Sequence, residues 1–318
     1  MGNDYSDIEK AIQENNLDFI QSVKSERIME SRLFGDAIEK GNLEMVKLFI
    51  EHGVSIADPS TWTSLFPIEN AAAGGHLEIV KLLVSKGCKV NPEIGRHAGF
   101  ATPNSALARA VYANHEKVVE FLLVNGADQN LKLYPDNNSP LYDAVQNSYG
   151  KIIDLLLEYK PDFKWKKNKA AISLAAKQGN YDILEKLLIA SKVKMKSVKS
   201  FYSPRGAFHS PLEDAVLHNN FECVKLLIEY GANPNAAVND LGFTPINIAI
   251  HNGNIEILNY LLDNGGKFIT NIKEMNYRIP NGVYVHNSGR LNEVAEKSGN
   301  PEMIEFVKQI EEKIFKEI

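Results

Sequence analysis

Histidine and cysteine supply many of the acid–base, nucleophilic and metal-binding side chains of proteins, and in this chain they are few and scattered. The eight histidines are His52, His76, His97, His115, His209, His218, His251 and His286. The chain has no H-E-x-x-H, phosphate-binding-loop, dinucleotide-binding or nucleophile-elbow motif. Its two cysteines, Cys88 and Cys223, lie too far apart for a four-ligand zinc site. The sequence therefore predicts no catalytic residue, no metal and no cofactor, and an enzyme site hidden in an insertion ranks last among the hypotheses.

The composition is typical of a soluble globular chain. Of the 318 residues, 44% are hydrophobic and 24% are charged, with a net charge of −5. No apolar run approaches the roughly 18 residues of a membrane helix, and the N-terminus is polar, unlike a secretory leader. Two cysteines give no disulfide framework, so we expect a reducing, cytoplasmic setting. Gly2 and Ser6 match a minimal myristoylation pattern, for which chance or a cloning remnant is the favoured explanation.

The stretch Ser210–Asn235 shows which elements build the chain. Ser210-Pro211 opens a short helix, and a break at His218–Asn220 separates it from a second, more apolar helix that ends at Gly231. Neither helix is long enough to keep an apolar face out of water alone. The unit must therefore stack on copies of itself.

Copies of this unit recur along almost the whole chain. Their first helices align on Ala11, Ala37, Ala71, Ala110, Ala144, Ala175, Ala215, Ala249 and Ala295, most often 34 residues apart. Openings such as Thr244–Ala249 (TPINIA) and Ser139–Ala144 (SPLYDA) resemble the T-P-L-H-x-A motif of ankyrin repeats. Gly74–Gly87 (GGHLEIVKLLVSKG) is similar to the second helix of that motif. By this resemblance the chain is identified as a member of the ankyrin repeat family.

The resemblance implies an all-α fold, an ankyrin-repeat solenoid of paired antiparallel helices with short β-hairpin fingers. We expect a single solenoid over residues 1–318, with an N-terminal cap repeat at 4–23 and a C-terminal cap repeat at 291–318, as in a complete array. The repeats between the caps are 33–56, 65–91, 104–130, 139–162, 169–190, 210–235 and 244–266, and the insertions are 191–209 and 267–290.

Two local departures from the repeat pattern carry structural predictions. Lys160 stands where most repeats place the helix-ending glycine, which indicates a strained or reshaped turn. In the second insertion, Asn281-Gly282 lies between runs of β-branched and aromatic residues, which predicts a β-hairpin over Tyr277–Val285.

The segment Lys160–His209 is basic in an otherwise acidic chain. It has twelve basic and three acidic residues, a balance of +9 where the whole chain has −5. Lys192–Lys196 alternates lysines with apolar residues, which places the ammonium groups on one side of an extended strand. A solvated insertion without a function fits this composition equally well. The similar run Lys164–Lys167, which surrounds Trp165, favours a role in binding.

The resemblance also implies that fingers and first helices line a concave face that binds other macromolecules. The candidate partner-binding residues are aromatic residues in the fingers and insertions, with nearby basic residues. They are Trp62, Phe100, Tyr134, Trp165, Lys166, Lys167, Lys194, Lys196, Phe201, Tyr202, Arg205, Phe208, Phe243, Tyr277 and Tyr284. Any one ring could simply pack on a neighbouring finger, but together they favour a binding strip.

The first functional hypothesis is a monomeric, non-enzymatic scaffold that binds another protein with an acidic patch. By analogy, a stand-alone array with this Lys/Asn bias could be a host-directed effector of an intracellular microbe or virus, acting in the host cytosol. The alternative is nucleic-acid or anionic-lipid binding through residues 160–209. Nucleic-acid affinity would then fall log-linearly with salt, and the net acidic charge argues against this alternative.

Some polar residues of the repeats have expected structural roles. His76 and His115 follow the break between helices, where the resemblance implies a histidine that bonds to neighbouring backbone. Asn91, Asn130 and Asn235 occupy G-x-x-x-N turns. Asparagines of the family can be hydroxylated there, but their default role is to hydrogen-bond the turn.

Overall fold

The computed structural model describes residues 10–12, 16–22, 31–56, 66–91, 105–131, 138–193, 210–236, 244–268, 275–278, 284–287 and 291–316, together with residues 7, 14 and 195. The chain divides into two compact units, Met1–Pro161 and Asp162–Ile318. Both units are built from helix pairs.

In the first unit, the short helix α1 (Leu17–Ser22) precedes the described helix pairs. These pairs are α2 (Ser31–Glu39) with α3 (Leu43–Glu51), α4 (Pro67–Ala73) with α5 (Leu77–Ser85), α6 (Ala106–Tyr112) with α7 (Glu116–Val124), and α8 (Pro140–Gln146) with α9 (Gly150–Glu158). The first helices of successive pairs pack on each other, and so do the second helices. The unit therefore has two helix layers with the core between them.

The second unit repeats this arrangement. Its helices are α10 (Lys166–Gln178), α11 (Tyr181–Ser191), α12 (Pro211–Leu217), α13 (Phe221–Glu229), α14 (Pro245–His251), α15 (Ile255–Asp263), α16 (Leu291–Ser298) and α17 (Pro301–Lys316). The first helices α10, α12, α14 and α16 stack in that order. Strands β1 (Met275–Arg278) and β2 (Tyr284–Asn287) pair antiparallel, with Tyr277 opposite Val285. The predicted hairpin is therefore confirmed.

Local sequence explains where the short first helices begin. Ser139, Ser210 and Thr244 cap α8, α12 and α14, each accepting a hydrogen bond from a backbone N–H in the first turn, and a proline follows each of them. At α12 the cap is reciprocal, because the Glu213 carboxylate also accepts the Ser210 N–H at 3.0 Å. These caps hold helices of only seven residues in place for packing.

The all-α architecture of stacked helix pairs is as predicted from the repeat pattern. One boundary differs, because α10 begins at Lys166 and runs for 13 residues, whereas the predicted repeat begins at residue 169. No proline marks the start of this helix. Most of the predicted finger residues lie outside the described residues; Trp165 and the two strands of the hairpin are described.

Lys160 ends α9 in the left-handed conformation, with a φ of 51°, where Gly53, Gly87 and Gly126 have φ values of 85–90° at equivalent helix ends. A side chain strains this conformation, so we expect Lys160→Gly to raise the free energy of unfolding by about 0.5–1 kcal/mol. Urea unfolding followed by circular dichroism measures the gain. Lys160→Ala removes the charge but keeps Cβ, and it should show no gain. Equal stability of the Gly variant and the wild type would contradict the assignment of strain.

Candidate functional site

The C-terminal ends of the first helices present one continuous set of solvent-facing positions in each unit. The aligned alanine of each first helix is buried, but the residues two and three positions after it are not. We call these positions the first-helix row. In the first unit they are Glu39, Lys40, Ala73, Gly74, Tyr112, Ala113, Gln146 and Asn147. In the second unit they are Lys177, Gln178, Leu217, His218, His251, Asn252, Lys297 and Ser298.

Tyr112 dominates the row of the first unit. Its side chain is 72% exposed, the largest value among the exposed large hydrophobic residues of the described chain. Helix α6 packs between α4 and α8, and the row positions on α4 are the small residues Ala73 and Gly74. Because the neighbouring side chains on one side are small, Tyr112 offers a large amphipathic contact surface. Tyrosine is a residue type enriched at the centres of interfaces.

One helical turn before Tyr112, Arg109 lies beside a buried carboxyl group of α4. Glu69 is only 2% exposed. Burial raises the pKa of Glu69 to about 8, although the Arg109 guanidinium and a hydrogen bond from the Phe66 backbone both lower it. The Arg109 Nε is itself buried and has no hydrogen-bond partner among the described residues. Glu69 and Arg109 therefore lie in the packed layer beneath the row, and Glu69 is largely neutral at pH 7.

In the second unit the row has a different character, with lysines, histidines and amides. Asn252 ties two of its helices together, because its Nδ2 donates to the carbonyl oxygens of Val216 at 3.0 Å and Leu217 at 3.2 Å. His218 Nδ1 lies 2.9 Å from the Asp214 carbonyl oxygen. Burial lowers the pKa of His218, the hydrogen bond with the Asp214 carbonyl opposes this, and the charge of Lys177 lowers it further. Neighbouring row positions are therefore close enough to act on one ligand.

Two more titratable groups of this region are shifted by burial. Burial raises the pKa of Asp214 to about 7, against the opposing charge of Lys177. Burial also lowers the pKa of His251, and the charge of Lys297 lowers it further. The two lysines are therefore the main positive charges of this row at neutral pH.

The two histidines after the helix breaks serve the scaffold. His76 Nε2 donates to the Glu39 carbonyl oxygen at 3.0 Å, and His115 Nε2 donates to that of Ala73 at 2.9 Å. Each bond joins one helix pair to the preceding pair, as predicted. Within the described ranges, no three His, Cys, Asp or Glu side chains are grouped so as to hold a metal ion.

Asparagines join the turns of adjacent pairs in the same way. Asn91 Nδ2 donates to the Gly126 carbonyl oxygen at 2.8 Å, and its Oδ1 accepts the Asp128 N–H at 2.8 Å. Asn235 repeats this clasp with Gly265 and Lys267, at 2.8 and 2.7 Å. These two asparagines were predicted to hydrogen-bond their own turn, whereas each side chain instead bonds the next turn along the chain.

Only part of the predicted partner-binding set lies in the described chain. Trp62, Phe100, Tyr134, Lys194, Lys196, Phe201, Tyr202, Arg205, Phe208 and Phe243 lie outside the described residues. Tyr277 and Tyr284 lie on β1 and β2. Trp165 is half-buried at the N-cap of α10, and Lys166 is exposed.

Lys167 departs from the prediction of an exposed basic run. It is 7% exposed, so it is not available to a partner on the surface. The reason is helical geometry, because α10 starts at Lys166 and the next residue is rotated by about 100° toward the packed side. The basic run is therefore split into exposed and buried lysines.

Met195 shows how the basic insertion begins. Its side chain is 3% exposed and lines a small crevice with Ser210, Pro211 and Leu212. One of the two apolar residues in the alternating stretch is thus anchored against the start of α12. The residue types of the first-helix row do not distinguish it in the sequence. The repeat alignment does, because Tyr112 lies two residues after the aligned Ala110.

The family profile described as ankyrin repeats (3 copies) matches residues 9–94, 71–168, 107–198 and 172–272. The chain belongs to the ankyrin repeat family. It is 27% identical over 213 residues to human transient receptor potential cation channel subfamily A member 1, an alignment that covers 64% of the chain and 18% of the channel. It is 27% identical over 267 residues to the putative ankyrin repeat protein FPV232 of fowlpox virus, covering 63% of the chain and 53% of the viral protein. The chain therefore spans about a fifth to a half of these relatives.

A solved ankyrin repeat structure gives the same result for the fold. The ankyrin repeat domain ABAYE2397 of Acinetobacter baumannii is 28% identical, with a TM-score of 0.54, and the match covers 64% of this chain and 99% of that one. None of the described helices is long and apolar enough to cross a membrane. Ankyrin repeats are general protein–protein interaction modules, and this chain shares their scaffold.

Proposed function

We propose that this ankyrin repeat protein is a non-enzymatic scaffold that binds a protein partner through its first-helix row. The observation that carries the proposal is Tyr112, a tyrosine 72% exposed in the middle of a packed helix layer. Folding leaves it in water, so its ring contributes little to the core and is available to a partner. The finger aromatics and the basic insertion remain in this proposal as further candidate contacts.

The start of α10 supports a partner with an acidic patch. Its first turn has no acidic residue and contains Lys166, Lys167 and Lys169. Exposed lysine charge at this helix start, as at Lys166, would steer the approach of a negatively charged partner. The same lysines would attract nucleic acid, whose binding differs by a steep log-linear loss of affinity with salt.

Tyr112→Ala is the direct test of the proposed surface. We expect the variant to lose a partner captured by the wild-type chain, with affinity reduced about tenfold or more, as for a buried interface tyrosine. Partners are first captured by crosslinking in cells of the source, or of its host. The affinity of the purified partner for both chains is then measured by calorimetry.

Tyr159→Ala is the matched control. Tyr159 is 43% exposed and follows the C-terminus of α9, at the other end of a helix pair from the row. The control should keep wild-type affinity. If Tyr112→Ala binds as well as the wild type, or if both variants weaken binding equally, the row of the first unit is not the binding surface.

We also propose, from the Lys/Asn bias of the sequence, that the chain is an effector acting in a host cytosol; one relative of the same family is encoded by fowlpox virus. Immunolocalisation in infected cells tests this hypothesis. Staining confined to the microbial cell would contradict it, while leaving the protein-binding proposal intact.

A further inference from the structure

The first-helix row of the second unit is cationic at both ends. Lys177 on α10 and Lys297 on α16 are exposed. The eight row positions of this unit include no carboxylate, whereas the row of the first unit contains Glu39 beside Lys40. The row of the second unit therefore favours a negatively charged ligand, whereas the row of the first unit does not.

The other six row positions of this unit have no full charge at neutral pH. They are Gln178, Leu217, His218, His251, Asn252 and Ser298. Burial lowers the pKa of both histidines. The carboxyl group of Asp214 lies near Lys177, and burial raises its pKa to about 7. Glu296 is exposed on α16 beside Lys297 but falls outside the row. The middle of the row is thus a neutral, partly apolar surface.

The spacing of the helices gives the length of a matching ligand. Lys177 and Lys297 are separated by three steps between adjacent first helices, α10 to α12 to α14 to α16. At about 8–10 Å per step the row spans roughly 24–30 Å. An extended peptide advances about 3.3 Å per residue, so about eight or nine residues cover that distance.

We propose that the row of the second unit binds an extended acidic peptide segment of the partner, about nine residues long, with carboxylates near both ends and a neutral centre. This proposal rests on the proposed protein-binding function and names the chemistry of the ligand. The terminal carboxylates pair with Lys177 and Lys297, and the centre lies over Leu217 and His251. A peptide is favoured over RNA because the row presents two separated charges and an uncharged middle, not a continuous basic stripe.

A fluorescein-labelled peptide of about nine residues, with two glutamates at each end and a Ser/Ala/Leu centre, is the probe. We expect saturable anisotropy with the full chain, and binding weaker by about tenfold for the matched peptide in which glutamine replaces glutamate.

The double variant Lys177→Glu/Lys297→Glu should weaken binding of the acidic peptide by at least about tenfold, since two attractive pairs become repulsive. Lys177→Gln/Lys297→Gln should give an intermediate loss and disturbs Asp214 less. Lys186→Glu, an exposed lysine on the second helix α11, is the matched control and should bind within about twofold of the wild type.

Several results would overturn the inference. They are no saturation up to about 1 mM peptide, equal binding of the glutamine peptide, or unchanged binding by both double variants. Binding of polyuridylate that is lost in the double variants, in the absence of peptide binding, would assign the row to nucleic acid instead. The Tyr112 experiment separates the two proposals. If Tyr112→Ala loses the partner while the peptide does not bind, the scaffold function stands and only the acidic-segment inference falls.

Discussion

Glu69→Gln is expected to stabilise the protein at pH 7.5 and to flatten its pH dependence. In the folded chain Glu69 holds its proton up to a pKa of about 8, whereas its ordinary value is 4.5. Between these values the unfolded state is ionised and the folded state is not, so folding takes up a proton and stability falls as the pH rises. The loss is about 1.4 kcal/mol per pH unit over that window for one such group.

Glutamine keeps the shape of the side chain and can still accept the Phe66 hydrogen bond, but it does not ionise. We therefore expect the variant to match the wild type near pH 5 and to be more stable by about 2–3 kcal/mol at pH 7.5. Urea unfolding at pH 5.0, 6.0, 7.0 and 7.5 measures the difference. Some slope should remain in the variant, because Asp214, whose pKa is raised from 3.8 to about 7, acts in the same direction.

Glu78→Gln is the control for this prediction, because Glu78 is exposed on the neighbouring helix, where it pairs with Lys81. Its stability should follow the wild-type pH curve within a few tenths of a kcal/mol. Parallel curves for Glu69→Gln and the wild type would show that the Glu69 carboxyl is ionised in the folded chain.

Gly75→Ala should be strongly destabilising. Gly75 has a φ of +74°, and a Cβ placed there would lie 2.5 Å from Nδ1 of His115. The alanine must adopt a left-handed conformation and also displace the imidazole that bonds the Ala73 carbonyl oxygen. We expect the free energy of unfolding to fall by about 3 kcal/mol, the sum of backbone strain, steric displacement and the lost hydrogen bond.

Gly87→Ala isolates the backbone contribution. Gly87 has a φ of +90°, and no described atom lies within 4 Å of the point that a Cβ would occupy. Its substitution should therefore cost only about 1 kcal/mol. In a His115→Ala background, the cost of Gly75→Ala should approach that smaller value. Equal costs for the two glycine variants in the wild-type background would show that the ring does not oppose the Cβ.

The helix pairs and their stacking could be predicted because they rest on local, periodic signals. Proline after a capping Ser or Thr, a small residue at the aligned position and glycine at the helix end all act within one repeat. The early start of α10 lacked such a signal, since Trp165 caps it without a side-chain hydrogen bond. That shift turned Lys167 inward, against the prediction.

The row could not be predicted from residue types alone, because exposure depends on neighbours from other repeats. Tyr112 is exposed partly because the row positions on α4 are Ala73 and Gly74, which are distant from it in sequence. Glu69 lies in the first turn of α4, and its burial depends on the packing of α6 against α4. The predicted aromatic residues lie in the fingers, whereas the exposed ring of the described row lies on a helix.

The clasps made by His76, His115, Asn91 and Asn235 reach only from one repeat to its immediate neighbour. The energetic effect of a substitution in one repeat therefore reaches the adjacent repeat and becomes small beyond it. Selection can consequently alter the side chains of the row one repeat at a time, without reoptimising distant positions. The surface residues of each repeat can therefore change independently, and new partners can be acquired by small successive changes.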